Sequence, residues 1–414
     1  MKFSPSSPLI SSLSDKVRGD FPFLKGGLVY FDSAATSQKP QSVINAISDF
    51  YAADYATVHR AIYRQAARAT ERYNGVREKV AAFLGTALPS EIVFTRGTTE
   101  SLNLVAASWG KRELKSGDEV IISEMEHHSN IVPWQMLCKE RGAKLKVIPV
   151  DERGVLDMRV YEEQLLSART KVVSIAHVAN TTGTIAPLSR IIAAAHAVGA
   201  IVVVDGAQSA GHLPVDVQAL DADFFAFSGH KIFGPTGVGI LYGKAHLLEK
   251  MPPIQGGGDM IEKVTLEESS FQKPPLRFEA GTPMIAEVIG LGAALDYIEA
   301  IGRKQIEVFE HELLLYATEA LQTIDHLRII GEAREKGAII SFTIEGVHPL
   351  DLATLLDLQG FAIRSGHLCA QPLLRRFGFS SLCRISFAPF NTFEEIDRFV
   401  LALEKTRSVL MRKI

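Results

Sequence analysis

A lysine and an aspartate stand where a sheet-forming chain would place reactive groups. Lys231 ends the segment FSGHK, which closes an apolar, strand-like run and precedes the glycine-rich segment IFGPTGVG. A lysine at the mouth of an apolar site readily loses its proton, and the neutral amine forms Schiff bases. Asp205 ends the run VVVD, 26 residues earlier. A carboxylate there can pair with the protonated pyridine nitrogen of pyridoxal 5′-phosphate (PLP), a pairing that PLP needs to act as an electron sink.

The segment Gly97-Thr98-Thr99 offers a phosphate site, because it lies where a strand is predicted to turn into a helix and helix N-termini bind anions. Each of these features has a plain alternative. Asp205 suits a turn or a helix N-cap, the Gly-Thr-Thr segment suits an ordinary helix start, and Lys231 suits an exposed surface position. The combination of all three at strand ends of one sheet favours a PLP site.

Only one of the three cysteines is predicted to be reactive. Three are too few for a disulfide framework, and they lack the CxxC spacing of a structural zinc site. Cys369 lies in IRSGHLCAQP, a short loop after a predicted strand, with His367 and Arg364 nearby, and positive neighbours favour the nucleophilic thiolate. Cys383 alternates with an arginine along a strand and is predicted to lie in the core. Cys138 is predicted to be a small buried hydrophobe on a helix.

Strand-like and helix-like segments alternate from about residue 90. These elements would position the candidate reactive residues. The segments DEVIIS, KVVSIAHV, AIVVVD, DFFAFS and GVGILYG are typical of strands, and LSRIIAAAHAVG is typical of an intervening helix. Short apolar strands that alternate with helices predict an α/β fold with a mainly parallel sheet covered on both faces. Ligands bind beyond the carboxyl ends of such strands, which is where the candidate residues stand.

Composition narrows the class of protein. The 414 residues are 47% hydrophobic and 22% charged, with a net charge of −3, as in an ordinary globular enzyme. This charge gives no electrostatic reason to expect nucleic acid or a membrane as partner. The N-terminus lacks the uninterrupted apolar stretch of a secretory signal, and no segment is apolar enough to span a bilayer, so we expect a cytoplasmic protein.

The motifs resemble those of the group II cysteine desulfurases of the SUF iron–sulfur assembly system, which are class V aminotransferases and fold-type I PLP enzymes. The resemblance implies a large PLP-binding domain with a mainly parallel seven-stranded sheet (31–295) and a smaller α+β C-terminal domain that carries the nucleophilic cysteine loop (296–414). It also implies an N-terminal segment (1–30) that packs with the small domain. The matching segments, spread from residue 30 to about 397, are YFDSAATSQKP, VHRAIY, RGTTESLNLVA, EMEHHSNIVPWQ, DGAQ, FSGHKIFGPTGVGILYG, RFEAGTP, RSGHLCAQPLL and CRISFAPFNTFEEID.

The same resemblance implies roles for individual residues and no metal site. Lys231 would hold PLP as a Schiff base and later move the substrate Cα proton, His127 would stack on the pyridine ring and assist proton transfer, and Cys369 would take sulfur from the substrate. The other implied cofactor-binding residues are Thr98, Thr99, Asp205, Gln208, Ser228, His230 and Thr282, the last reaching the phosphate in the neighbouring subunit of a homodimer. The implied substrate-binding residues are Asn180, Arg384, Arg364, His59 and Arg60.

The implied activity is conversion of L-cysteine to L-alanine with a persulfide on Cys369. The sulfur would pass to a SUF acceptor protein, SufE-like or SufU-like, and selenocysteine would be a side substrate. Leu368 stands where the family often has a second histidine before the cysteine, so a role for that histidine does not carry over. Two interpretations remain open: another fold-type I activity, such as a transaminase or kynureninase, and a non-catalytic paralogue that scaffolds assembly partners.

Overall fold

The computed structural model describes residues 12–411, in which fifteen strands form four sheets. The strands are β1 (Val29–Tyr30), β2 (Ile92–Thr95), β3 (Glu119–Ser123), β4 (Lys144–Ile148), β5 (Thr170–Ala176), β6 (Ile201–Asp205), β7 (Phe224–Ser228), β8 (Gly239–Gly243), β9 (Ile261–Val264), β10 (Ser269–Phe271), β11 (Leu327–Ile330), β12 (Ile339–Ile344), β13 (Phe361–Ala362), β14 (Arg364–Gly366) and β15 (Leu382–Ser386).

Helices connect the strands, and some of them are single turns. None of the helices between residues 12 and 411 is both long and apolar enough to cross a membrane. The α-helices are α1 (Ser12–Val17), α2 (Gln41–Asp49), α3 (Arg64–Leu84), α4 (Thr98–Val105), α5 (Lys111–Glu113), α6 (Val132–Arg141), α7 (Met158–Val160), α8 (Leu188–Ala197), α9 (Ala245–Leu248), α10 (Ile285–Ile301), α11 (Arg303–Gln322), α12 (Pro349–Asp357), α13 (Gln371–Arg376) and α14 (Phe393–Met411).

The largest sheet has seven strands in the order β2-β8-β7-β6-β5-β3-β4. All neighbouring strands are parallel except β8, which is antiparallel to both β2 and β7. Alternate side chains of β6 enter different cores, since Val202 and Val204 pack on one face and Val203 on the other. Burial on both faces explains the continuous apolar runs in the sequence. The predicted α/β fold with a mainly parallel seven-stranded sheet is confirmed.

A second, smaller sheet lies in the C-terminal part of the chain. Its strands are antiparallel in the order β11-β12-β15-β14. It shares a separate apolar core with α11, α12 and α14, in which Phe342, Ile385 and Phe399 are buried. This is the α+β arrangement predicted for the last third of the chain.

The helical stretch expected from Ile285 to about Leu321 is two helices rather than one. Gly302, with a φ of 93°, separates α10 from α11. This backbone conformation is costly for residues with a Cβ, so a glycine ends the first helix. The division into domains 31–295 and 296–414 stays a prediction, and its boundary falls inside α10.

Residues 12–30 contact both parts of the chain. Val29 in β1 lies in the core of the small sheet, and β1 pairs in parallel with β13. Phe21 instead packs edge-on against Phe233 of the larger part, with ring centroids 5.7 Å apart. The segment therefore packs with more than the small domain. Residues 1–11 of the predicted N-terminal segment lie outside the described residues.

Candidate active site

Twelve of the fifteen predicted site residues line one cavity of about 230 Å³. The cavity lies beyond the carboxyl ends of β2, β3, β5, β6 and β7, where parallel sheets bind ligands, and the small domain closes it from the other side. The predicted residues that line it are Thr98, Thr99, His127, Asn180, Asp205, Gln208, Ser228, His230, Lys231, Arg364, Cys369 and Arg384.

A buried lysine with a lowered pKa lies in the cavity. The 3-10 turn Gly229–Lys231 follows β7 directly and carries the lysine to the site. Desolvation lowers the pKa of Lys231; the negative charge of Asp205 opposes this shift and the positive charge of Arg384 adds to it. The buried Asp205 accepts a hydrogen bond from the Ala207 amide at 2.9 Å, and desolvation raises its pKa. The site therefore holds a nucleophilic amine and a carboxylate that favours a cationic partner.

α4 begins at the residues that were predicted to bind a phosphate. The amide and the hydroxyl of Thr98 each lie 2.8 Å from Ser228 Oγ, and Thr99 also lines the cavity. Gly97 approaches β8 so closely that a Cβ on Gly239 would lie 2.3 Å from Gly97 Cα. A side chain at position 239 would displace this turn, so the close approach requires glycine. Hydroxyls and amides at a helix N-terminus suit a phosphate.

A neutral imidazole stands opposite the lysine. His127 is the N-cap of the turn His128–Asn130, and its Nδ1 accepts a hydrogen bond from the Ser129 amide at 3.1 Å. Desolvation lowers the pKa of His127 to about 4, and the charges of Lys231 and His128 contribute. The ring is therefore neutral at pH 7 with its proton on Nε2, and a neutral aromatic ring can stack on another ring.

Arg384 and Asn180 each have a buried polar atom that the rest of residues 12–411 leaves without a hydrogen bond. Arg384 donates through Nη1 to the Asn180 carbonyl at 2.9 Å and through Nη2 to Asp32 Oδ1 at 3.1 Å. Asn180 Nδ2 donates to the Leu368 carbonyl at 2.7 Å. Within residues 12–411, Arg384 Nε and Asn180 Oδ1 find no hydrogen-bond partner. Buried polar atoms are seldom left unpaired, so this corner of the cavity suits a bound carboxylate and its neighbouring polar group.

The half-buried Cys369 lies in a loop of unusual backbone conformation after β14. Leu368 and Cys369 have φ values of 53° and 54°, in the left-handed region that few residues other than glycine adopt. Hydrogen bonds fix the loop: Cys369 N donates to His367 Nδ1 at 3.1 Å, and the His128 amide donates to the Cys369 carbonyl at 2.8 Å. The loop holds the thiol at the cavity wall.

The other two cysteines are packing residues, as predicted. Cys138 and Cys383 are both buried. Desolvation raises the pKa of Cys138 to about 11 and that of Cys383 to about 12. A thiol with such a pKa carries almost no thiolate at pH 7, so neither is a nucleophile.

Three predicted residues are not among those that line the cavity of their own chain. Thr282 lines a different cavity of about 520 Å³. His59 is exposed, with Nε2 3.2 Å from Asn74 Oδ1, and Arg60 forms an ion pair with Asp259. One chain alone does not bring these residues to the site, and their roles stay predictions.

Asp32 and His128 contact predicted site residues and were not singled out from the sequence. Asp32 is the ion-pair partner of Arg384, and His128 stacks on His367 with ring centroids 5.6 Å apart. Asp32 had a signal, since it follows the short apolar run VYF as a carboxylate at a strand end would. For His128 the only signal was its place beside His127.

The residues of the cavity fit PLP. A lysine with a lowered pKa can bind the aldehyde, Asp205 can pair with the pyridine nitrogen, and the start of α4 can hold the phosphate. The unpaired Arg384 Nε remains available for a second, anionic molecule.

Comparison with known proteins agrees with this chemistry. Residues 29–399 match the family model Aminotransferase class-V. A cysteine desulfurase of Synechococcus elongatus is 51% identical over 398 residues, which cover 95% of this chain and 63% of that protein. A cysteine desulfurase of Dickeya dadantii is 49% identical over 402 residues, covering 96% of this chain and 97% of that protein. The crystal structure of the cysteine desulfurase CsdA from Escherichia coli superposes with a TM-score of 0.90 at 42% identity, covering 96% of this chain and 98% of that one.

The chain spans 57–64% of the length of three such relatives, the Synechococcus protein among them, and nearly all of the Dickeya protein. The family match and the cavity chemistry lead to the same conclusion. The chain belongs to the class-V aminotransferase family of PLP-dependent enzymes.

Proposed function

We propose that the protein is a group II cysteine desulfurase of the SUF type, which converts L-cysteine to L-alanine and leaves a persulfide on Cys369. The observation that carries the proposal is that a thiol lines the same cavity as Lys231 and Arg384. Transaminases and kynureninases have no use for a thiol at this place. The names of the relatives support the same activity.

The cofactor would be held by residues of the large domain. When bound, PLP supplies the electron sink that stabilises negative charge on the substrate carbons. Lys231 would bind the aldehyde, Asp205 would pair with the pyridine nitrogen, and His127 would lie against the ring. Gln208 would donate to the ring oxygen, and the phosphate would be bound by Thr98, Thr99, Ser228 and His230.

The substrate would be held and deprotonated by the chain's own groups. Arg384 would bind the substrate carboxylate through its unpaired Nε, with Asn180 and Arg364 beside it. Desolvation lowers the pKa of Lys231 and so favours its neutral amine, which would take the Cα proton. The neutral His127 would assist the proton transfers without adding charge to the site.

The sulfur step balances without an external oxidant. The Cys369 thiolate attacks the substrate Sγ, so that an S–S bond forms while the substrate Cβ–Sγ bond breaks. The bonding pair stays with the substrate carbon, which takes up protons and leaves as alanine. The substrate carbon is reduced and the sulfur is oxidised to the persulfide level.

The proposal extends to partners and location. The persulfide sulfur would pass to a SufE-like or SufU-like acceptor, and a groove of about 560 Å³ beside His128 and Gln371 offers room near the thiol. Thr282 lies outside the cavity of its own chain, which supports a homodimer in which it reaches the neighbouring phosphate. A reactive thiol needs a reducing compartment, which supports the cytoplasm. Selenocysteine would be a side substrate.

Mass spectrometry after incubation with L-cysteine, with alanine measured alongside, tests the proposal. We expect one extra sulfur on Cys369 and alanine as the product. Cys369→Ala should keep PLP bound yet form no persulfide, whereas Cys138→Ala should behave like the wild type because that thiol is buried. Full alanine release by Cys369→Ala would contradict the proposal. Keto-acid formation would indicate a transaminase, and a colourless, inactive protein would indicate a scaffold.

A further inference from the structure

Two histidines and the proposed nucleophile form a cluster at the edge of the cavity. One ligand atom each from His128, His367 and Cys369 lies within 4.8 Å of the other two. His128 comes from the turn after β3, and the other two come from the loop after β14, so the cluster bridges the large and the small sheets. His367 is exposed and the other two are half-buried, so solvent reaches the cluster.

Backbone hydrogen bonds hold the two segments of the cluster together. The His128 amide donates to the Cys369 carbonyl at 2.8 Å, and the Gln371 amide donates to His128 Nε2 at 3.2 Å. The rings of His128 and His367 lie 5.6 Å apart at 31° to each other. The three donor side chains are therefore brought together by the fold before any ligand arrives.

The chemistry of the three ligand atoms favours one metal. A thiolate and two imidazoles are the ligands of zinc sites, and three protein ligands leave a fourth tetrahedral position open. We propose that His128, His367 and Cys369 form a Zn²⁺ site that caps the thiol. Binding releases the Cys369 thiol proton to solvent and changes no oxidation state.

Small side-chain rotations complete the site. Zinc ligands lie about 2.0–2.3 Å from the metal, so the three atoms must approach one another somewhat more closely than in the metal-free protein. His367 Nδ1 and His128 Nε2 now accept hydrogen bonds of 3.1 and 3.2 Å from backbone amides. Each histidine would therefore bind zinc either by giving up this hydrogen bond or through its other ring nitrogen.

The sequence change at Leu368 leaves this site intact. Leu368 is buried in the large core and offers no donor, so the second imidazole comes from His128 of the other segment. Arg364 and Arg384 line the adjacent cavity and disfavour a nearby cation. We therefore expect reversible binding, weaker than that of a structural zinc site.

The consequence for activity rests on the proposed function, whereas metal binding does not. A thiolate bound to zinc is not free to attack the substrate sulfur, so Zn²⁺ would hold the enzyme inactive until a competing thiol or chelator removes the metal. The site is thus a reversible block on persulfide formation.

Titration of the reduced holoenzyme with Zn²⁺ against a chromophoric chelator, without substrate, tests the site. We expect one Zn²⁺ per chain that requires Cys369 and is lost in Cys369→Ser. His128→Gln and His367→Gln should each weaken binding at least about tenfold, since even changes next to metal ligands have effects of that size. His246→Gln is the matched control, because His246 is exposed and lies outside the cluster.

Alkylation of Cys369, followed by peptide mass spectrometry, gives a second readout that does not depend on turnover. Zn²⁺ should slow modification by iodoacetamide in the wild type and in His246→Gln, and EDTA should restore it. Protection should disappear in His128→Gln and His367→Gln. Equal zinc binding by all variants, or unprotected Cys369 at saturating Zn²⁺, would overturn the site. If Zn²⁺ protects Cys369 but the zinc-free enzyme forms no persulfide from L-cysteine, the site stands and the desulfurase proposal fails.

Discussion

At the residue scale, burial in the cavity lowers the pKa of three basic side chains, Lys231, His127 and His230. Desolvation is the main cause that lowers the pKa of Lys231, and it lowers the pKa of His127 and of His230 to about 4 each. The two imidazoles are therefore neutral at pH 7, and the lowered pKa of Lys231 makes its amine easier to deprotonate. Arginine keeps its proton, so Arg384 supplies a lasting positive charge against the wall of the cavity.

The Arg384 side chain should therefore control substrate binding. We expect Arg384→Lys to raise KM for L-cysteine about 10- to 100-fold with a smaller change in kcat, because a lysine keeps the charge but lacks the Nε–H that would bind the carboxylate. Steady-state kinetics of alanine formation measures both constants.

Arg334→Lys is the control for this substitution, since Arg334 is exposed and does not line the cavity. It should leave both constants unchanged. An unchanged KM in Arg384→Lys would show that the arginine does not hold the substrate carboxylate.

At the element scale, one buried ion pair links α3, β2 and the segment that leads to Thr282. Arg77 of α3 pairs with Glu279 through two hydrogen bonds of 2.7 and 2.8 Å. Glu279 Oε1 also accepts a hydrogen bond from the Phe94 amide of β2 at 2.8 Å. Both charged side chains are buried, at 8% and 6% exposure, so each depends on the other for its solvation.

Breaking this pair should destabilise the protein strongly. We expect Glu279→Gln to lower the free energy of unfolding by about 3–5 kcal/mol, because it leaves the Arg77 charge buried without a counter-charge. Chemical denaturation measures the change. Glu299→Gln removes an ion pair with Arg303 whose carboxylate is 53% exposed, and its effect should stay below about 1 kcal/mol. Similar decreases in the free energy of unfolding in the two variants would show that burial does not increase the contribution of the Arg77–Glu279 pair to stability.

At the element scale, some features of the structure could be predicted from the sequence and others could not. The strand ends were predictable, because apolar runs followed by polar residues mark them, and Asp205 and Ser228 lie where expected. The conformation of the Cys369 loop was not predictable, because hydrogen bonds from His128 and Asn180, far away in sequence, hold it. The break at Gly302 had a local signal, but the apolar pattern continues across it.

At the scale of the whole molecule, the site lies where the large sheet and the small sheet meet. Lys231 lies in the turn after β7 of the large sheet, whereas Arg384 lies in β15 of the small sheet and Cys369 in the loop after β14. Motifs could name these residues but not their contacts, such as the hydrogen bond from Arg384 Nη1 to the Asn180 carbonyl across the junction. Thr282, His59 and Arg60 lie outside the cavity of one chain and their roles stay predictions; that of Thr282 would require a neighbouring subunit.

A second contact across this junction should make stability depend on pH. His212 follows β6, and its Nδ1 lies 2.9 Å from Glu310 of α11. Burial opposes the charge on His212, but the attraction of Glu310 and their hydrogen bond outweigh it and raise the pKa of His212. Burial also raises the pKa of Glu310. Both groups thus hold protons more tightly in the folded state than in the unfolded state.

A group whose pKa is higher in the folded state stabilises the protein at pH values below its unfolded-state pKa. This stabilisation is lost as the pH rises through the folded-state pKa. For His212 the loss begins above its ordinary pKa of 6.5. We therefore expect the thermal unfolding midpoint to fall as the pH rises above 6.5, and to fall less in Glu310→Gln, which removes the partner that raises the pKa of His212. Glu345→Gln is the control, because its pair with His326 is largely exposed and should leave the slope unchanged. Parallel slopes for wild type and Glu310→Gln would show that this pair does not link protonation to the stability of the domain junction.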